Sequence, residues 1–204
     1  MIKVSVEQFD ALKELINIGM GKAGNILNEM LKTPITLDVI LMKIFPYSEL
    51  STEVVNINKP VISVHTRFSG AMEGMAILSF PEESISKLIK VLTEGKKQNI
   101  KNLDTVSVEA LTEIGNVVLN GVVGSISNIL KLSVQYTIPV YLKTTLPDII
   151  EKKKVKPDLY IILAKSLFKI EKYLVQGEII LFFTTESFDE LLRAVDSIVE
   201  KENF

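Results

Sequence analysis

Residues 12–41 are repeated, at a constant offset of 99 positions, by residues 111–140. Leu12, Leu15, Ile16, Gly19, Ala23, Ile26, Leu27 and Met30 fall at three- and four-residue steps, one stripe of an amphipathic helix. Leu111, Ile114, Gly115, Val118, Val122, Ser125, Ile126 and Ile129 hold the matching positions. In both copies the helical period gives way to alternation: Ile35, Leu37, Val39 and Leu41 match Val134, Tyr136, Ile138 and Val140. Such a switch from a period of 3.6 to a period of two marks a helix feeding a half-buried strand. A fold built on this chain must therefore place the same unit twice.

The copies continue after a small insertion. Gly74–Phe80, followed by Pro81-Glu-Glu-Ser84, resembles Gly177–Phe183, followed by Thr184-Thr-Glu-Ser187, at an offset of 103 (177 − 74). Each of these strands runs into a helix with a polar, cap-like start. Further strands are predicted at 60–68 and 159–164, and a short helix at 146–154 ending in the solvated run Lys152-Lys-Lys154. Each copy thus reads helix, strand, short or irregular segment, strand, strand, helix, over residues 5–95 and 104–201. The joint Thr93–Asn99 is a polar turn with no long linker. Halves of this size share a sheet more economically than they fold apart. The expected fold class is α+β: one domain over 1–204, with pseudo-twofold halves, a mainly antiparallel shared sheet and two long helices.

Composition narrows the chemistry. The chain has no cysteine and one histidine, which excludes disulfides, thiolate catalysis and a cysteine-ligated metal. A net charge of −2 argues against binding nucleic acid through its phosphates. No uninterrupted apolar run reaches the roughly 20 residues of a membrane span, and the N-terminus lacks a signal-peptide pattern. A cytoplasmic location is expected.

The polar faces of the long helices carry Asp10, Glu14, Asn17, Gly21, Gly24 and Asn28 in one copy, and Glu109, Glu113, Asn116, Asn120, Gly124 and Ser127 in the other. Residues at i and i+3 on a helix share a face, so Glu14 with Asn17 and Glu113 with Asn116 each set a carboxylate beside an amide. A single such pair is common on solvated surfaces. Repetition in phase singles these two out, although duplication also preserves plain structure. Glycine inside a helix costs about 1 kcal/mol relative to alanine. Gly19 and Gly115, on the apolar stripes, are expected to permit close approach in the core. Gly21, Gly24 and Gly124 are expected to do so for a docking partner.

These residues carry a resemblance. Glu14-Leu-Ile-Asn17-Ile-Gly-Met-Gly-Lys-Ala-Gly and Glu113-Ile-Gly-Asn116-Val-Val-Leu-Asn-Gly are similar to the paired signature helices of the CheC–CheX–FliY phosphatases of chemotaxis, CheC above all. That signature is Asp or Ser, three residues, Glu, two residues, Asn, and a later Pro. Asp10, Glu14 and Asn17 fill it in the first copy, and Glu113, Asn116 and Pro139 in the second. Ile40 stands where the first copy's proline would be, Glu109 replaces the leading Asp or Ser of the second, and Lys22 replaces a common asparagine. The resemblance implies a protein aspartyl-phosphate phosphatase acting on a phosphorylated CheY-type response regulator. Asn17 and Asn116 would orient the attacking water, and Glu14 and Glu113 would dock the regulator. No cofactor is expected on this chain, and Mg²⁺ is expected on the regulator. The receptor deamidase CheD is a further candidate partner, and a monomer is expected because the duplication already supplies a twofold axis.

The competing reading is a non-catalytic adapter of the same architecture, either a flagellar-switch protein like FliM or a holder of CheD. Both Glu-x-x-Asn pairs are retained, which favours the enzyme. The chain ends at Phe204 soon after its last helix, which disfavours FliY and FliM. His65, alone in a strand-like run, is expected to be structural. Gly19-Met-Gly-Lys22 lies inside a helix and lacks the strand–loop–helix context of a phosphate loop.

Overall fold

The computed structural model describes residues 2–54, 57–92, 103–152, 159–170 and 173–202. Helix α1 (Val6–Leu31) starts from Ser5, whose hydroxyl accepts from the Gln8 amide while the Gln8 side chain accepts from the Ser5 amide. This reciprocal cap satisfies two of the donors that a helix start leaves orphaned. Strand β1 (Ile35–Pro46), a short turn, helix α2 (Leu50–Glu53) and the hairpin of β2 (Val61–Gly70) with β3 (Gly74–Pro81) follow, and α3 (Glu82–Leu92) closes the first half. The second half runs α4 (Thr105–Ile129), β4 (Val134–Tyr136), β5 (Val140–Thr144), α5 (Leu146–Lys152), β6 (Leu159–Ile170), β7 (Tyr173–Thr184) and α6 (Thr185–Glu202). Asp104 caps α4 by accepting from the Ser107 amide. The predicted joint at 93–99 and most of the lysine run at 152–154 lie outside the described residues.

The strands form one antiparallel sheet in the order β1-β6-β7-β3-β2, with β4 and β5 both on the outer side of β2. The halves exchange their first strands. β1 pairs with β6 of the second half, and β4 and β5 pair with β2 of the first. Neither half completes its own side of the sheet. Helices α1, α3, α4 and α6 bury their apolar stripes on one face, around Phe68, Leu78, Phe80, Ile162, Phe168 and Phe183. The short α2 and α5 cover part of the other face, where Leu50, Ile149 and Ile150 pack with Ile77, Ile161 and Phe182. By length and composition α4 could cross a bilayer, but its apolar stripe is packed inside this core.

Two strands depart from the predicted alternation in the same way. Along β6, Val39 faces Ser166 and Leu41 faces Lys165, so Ile40 is an extra, unpaired residue. Along β2, Tyr136 faces Phe68 and Val140 faces His65, so residues 137–139 oppose Thr66 and Arg67 alone. Each edge strand therefore holds one bulge, at Ile40 and at its 99-residue counterpart, Pro139. A bulge exchanges the two faces of a strand. Ile35 and Leu37 join the helix-side core before the bulge, and Met42 joins it after, while Phe45 turns to the opposite cluster. In the second copy Val134 and then Tyr141 face the helices. The expected single half-buried strand over 134–140 is thus two short strands, with Ile138 and Val140 left exposed. Pro139 is tolerated because a bulge residue on an edge owes the ladder no N–H. Thr137 bridges the break: its hydroxyl accepts from the Arg67 amide (3.0 Å) and its carbonyl from the Thr66 hydroxyl (2.8 Å).

His65 lies buried in β2, facing Ile77 of β3 and Val140 of β5, a place in the sheet that accords with a structural role.

Candidate functional site

Both signature pairs lie on the outer faces of the long helices, with equal exposure in the two copies. Glu14 and Glu113 are exposed; Asn17 and Asn116 are half-buried. The core stripe sets this orientation. Leu15, Ile16, Ile114 and Gly115 point inward, and a helix turns about 100° per residue, so the neighbouring positions face outward. Asp10, Glu109 and Lys22 are exposed as well. No hydrogen bond or ion pair links one Glu–Asn pair to the other among the described residues.

The helices that carry the pairs are locked together by small residues. A Cβ added at Gly19 would lie 2.6 Å from the Val122 Cα and 2.7 Å from the Gly121 carbonyl oxygen. α1 and α4 therefore meet backbone to backbone, two residues beyond Asn17. Gly115 meets β2 as closely: a Cβ there would overlap the Val64 side chain. These two glycines serve the core, as expected. Gly24 does not serve a docking surface. It is buried, and its missing Cβ faces the Ile35 carbonyl oxygen and the Leu37 side chain, each 3.7 Å away, because the α1–β1 turn folds the strand back under the helix. Gly21 is open, with nothing within 4 Å of its would-be Cβ. Gly21→Ala is therefore expected to raise stability by about 0.5–1 kcal/mol. The check is a higher urea midpoint at an unchanged slope.

The first bulge can be placed along α1. Gly24 abuts Leu37, and α1 and β1 run in opposite directions across their connecting turn. A strand rises about 3.3 Å per residue and a helix about 1.5 Å, so three residues along β1 match roughly seven along α1. This brings Ile40 level with Asn17. The two bulged edges each carry a bare isoleucine: Ile40 is 56% exposed and Ile138 86%. The alternation of residues 134–140 hid this rim. The signal that could have revealed it was the coincidence of Ile40 and Pro139 at one repeat position. On the same edge, burial pushes the Tyr141 hydroxyl above its ordinary pKa, with Lys143 opposing, so it stays protonated at neutral pH.

At the pairs themselves the copies differ in one hydrogen bond. The Asn120 side-chain amide donates to Asn116 Oδ1 at 2.7 Å. Among the described residues the Asn17 amide has no hydrogen-bond partner, because position 21 is glycine. A carboxylate beside an amide, open to solvent, can accept from a cationic side chain and hold a water through the amide oxygen. No group of three or more potential metal ligands is assembled among the described residues.

Comparisons agree on the family. The sequence profile of the family described as Chemotaxis phosphatase CheX matches residues 62–162, a span that contains Glu113 and Asn116. The chain is 26% identical over 138 residues to CheY-P phosphatase CheC of Bacillus subtilis (strain 168), an alignment covering 67% of this chain and 66% of that one. In fold it is similar to Thermotoga maritima FliY (TM-score 0.75, 15% identity, 96% of this chain and 99% of that one). The FliM middle domain from H. pylori is similar too (TM-score 0.67, 10% identity, 94% and 99%). With its duplicated helices, shared antiparallel sheet and these matches, the chain is similar to the CheC/CheX family of chemotaxis proteins.

Proposed function

We propose that this protein hydrolyses the aspartyl phosphate of a phosphorylated CheY-type response regulator in the cytoplasm, at two sites. The observation that carries the reading is the doubled pair: both copies leave a glutamate exposed and an asparagine half-buried beside it, on helices held rigidly against each other. The match to the CheX family profile and the relative named as a CheY-P phosphatase point the same way. An acyl phosphate has a good leaving group, so its hydrolysis needs positioning more than proton abstraction. The Oδ1 of Asn17 or Asn116 accepts one hydrogen of a water and turns a water lone pair toward phosphorus. A new P–O bond forms in line as the bond to the regulator's aspartate breaks. The aspartate leaves as carboxylate, and the water's protons pass to inorganic phosphate and solvent. Glu14 and Glu113 accept from a lysine of the regulator, holding the partner where the amide can reach. The Mg²⁺ that steadies the phosphoryl charge is the regulator's own.

The test is release of inorganic phosphate from a phosphorylated CheY-type regulator with Mg²⁺, with and without this protein. Acceleration over the regulator's own decay supports the reading. Binding of the phosphorylated regulator without acceleration would assign the protein to the adapters, a role favoured by its likeness in fold to FliY and the FliM middle domain. Docking and chemistry separate by mutation. Glu14→Gln with Glu113→Gln removes two charge-assisted hydrogen bonds of about 1.5–3 kcal/mol each, one per site. KM is expected to rise at least tenfold while kcat changes little, and the wild-type dependence on salt is expected to flatten.

A further inference from the structure

We propose that Asn120 is a positioning residue that makes the second site the faster of the two, an inference that rests on the phosphatase reading above. Its Nδ2 donates to Asn116 Oδ1 at 2.7 Å, one helical turn along α4. The counterpart in α1, at 120 − 99, is Gly21, which offers no side chain and has open space where one would stand. The departures at Lys22, Ile40 and Glu109 change what lies around the sites; this one acts on the amide itself.

An amide oxygen has two acceptor directions. At Asn17 both are open, and the side chain can rotate, so a water can be held in several directions of which few are in line with phosphorus. At Asn116 one direction is filled by Asn120. The bond biases the amide plane along the helix and leaves one acceptor direction for water. The donor also polarises the carbonyl and strengthens the bond that the water makes. The ordering cost is met in the free protein rather than in the complex, which favours the chemical step and leaves docking untouched. Amide pairs one turn apart on an open helix face bias a side chain only modestly, so the expected effect is about twofold in kcat.

The experiment uses single-site proteins. Asn17→Ala leaves the second site and Asn116→Ala leaves the first. Adding Asn120→Ala to the former is expected to lower kcat about twofold at unchanged KM. Adding Gly21→Asn to the latter is expected to raise kcat by a similar factor. Side-chain amide relaxation by NMR in the free wild-type protein gives a readout independent of turnover: the Asn116 amide should be more ordered than that of Asn17, and Asn120→Ala should abolish the difference. Equal order of the two amides in the wild type overturns the proposal. Order at Asn116 with kcat unmoved by either added substitution overturns the positioning role alone. No acceleration by the wild-type protein, with Asn116 still ordered, overturns the phosphatase reading; an active wild type with both single-site proteins inactive overturns the claim of two separate sites of unequal rate.

Discussion

Replacing Asn17 and Asn116 together by alanine is expected to bring the decay of the phosphorylated regulator down to its unaided rate, a loss of about 100-fold or more in acceleration. Each asparagine is half-buried, and its amide is the group beside the exposed glutamate able to accept a water hydrogen. Alanine keeps the helix, being its best former, and removes that acceptor alone. Stability should hold, and binding of the phosphorylated regulator should persist, because the glutamates remain. kcat should fall while KM stays near its wild-type value, the signature of an interaction made at the transition state. Either single substitution should leave partial activity, because no hydrogen bond or ion pair couples the two pairs among the described residues. An unchanged rate in the double variant would end the phosphatase reading. A rate lost together with binding would show that the asparagines dock rather than aim water.

The second large effect is structural. Gly19→Ala should destabilise the protein by about 3 kcal/mol, although helix propensity alone favours alanine by about 1 kcal/mol. The added Cβ would fall 2.6 Å from the Val122 Cα and 2.7 Å from the Gly121 carbonyl oxygen. Both are backbone atoms, which no side-chain rotation can move aside. α1 and α4 would have to separate, opening the packing around Leu15, Ile16, Val118 and Val122. Urea or thermal unfolding measures the loss. Gly21→Ala, two residues away on the open face, should shift stability in the opposite direction, so opposite signs from one substitution at neighbouring glycines test the crossing directly. A stabilising Gly19→Ala would mean that the helices do not meet there.

Much of the candidate site was legible before the fold was known. Glu14, Asn17, Glu113 and Asn116 were found from spacing and repetition, and helical geometry alone puts each pair on one face. The polar-face glycines were harder. Gly21 and Gly24 look alike on a helical wheel, and which of them meets another element depends on where β1 returns. Nor could periodicity alone foresee the bulges. Ile138 and Val140 continue an apolar alternation that would bury them, yet the bulge turns that alternation out of the core.

The amino-acid sequence by itself determined the duplication, the helices and the Glu–Asn pairs on their outer faces. These depend on contacts between residues three or four apart, so the local pattern suffices. The tertiary structure decided how the halves interlock, where the strands break and which of two similar amides is held. These depend on partners far along the chain: β1 on β6, β5 on β2, Gly19 on Val122. Even the local bond between Asn120 and Asn116 gains its meaning from the fold, which leaves both side chains at the surface instead of covering them.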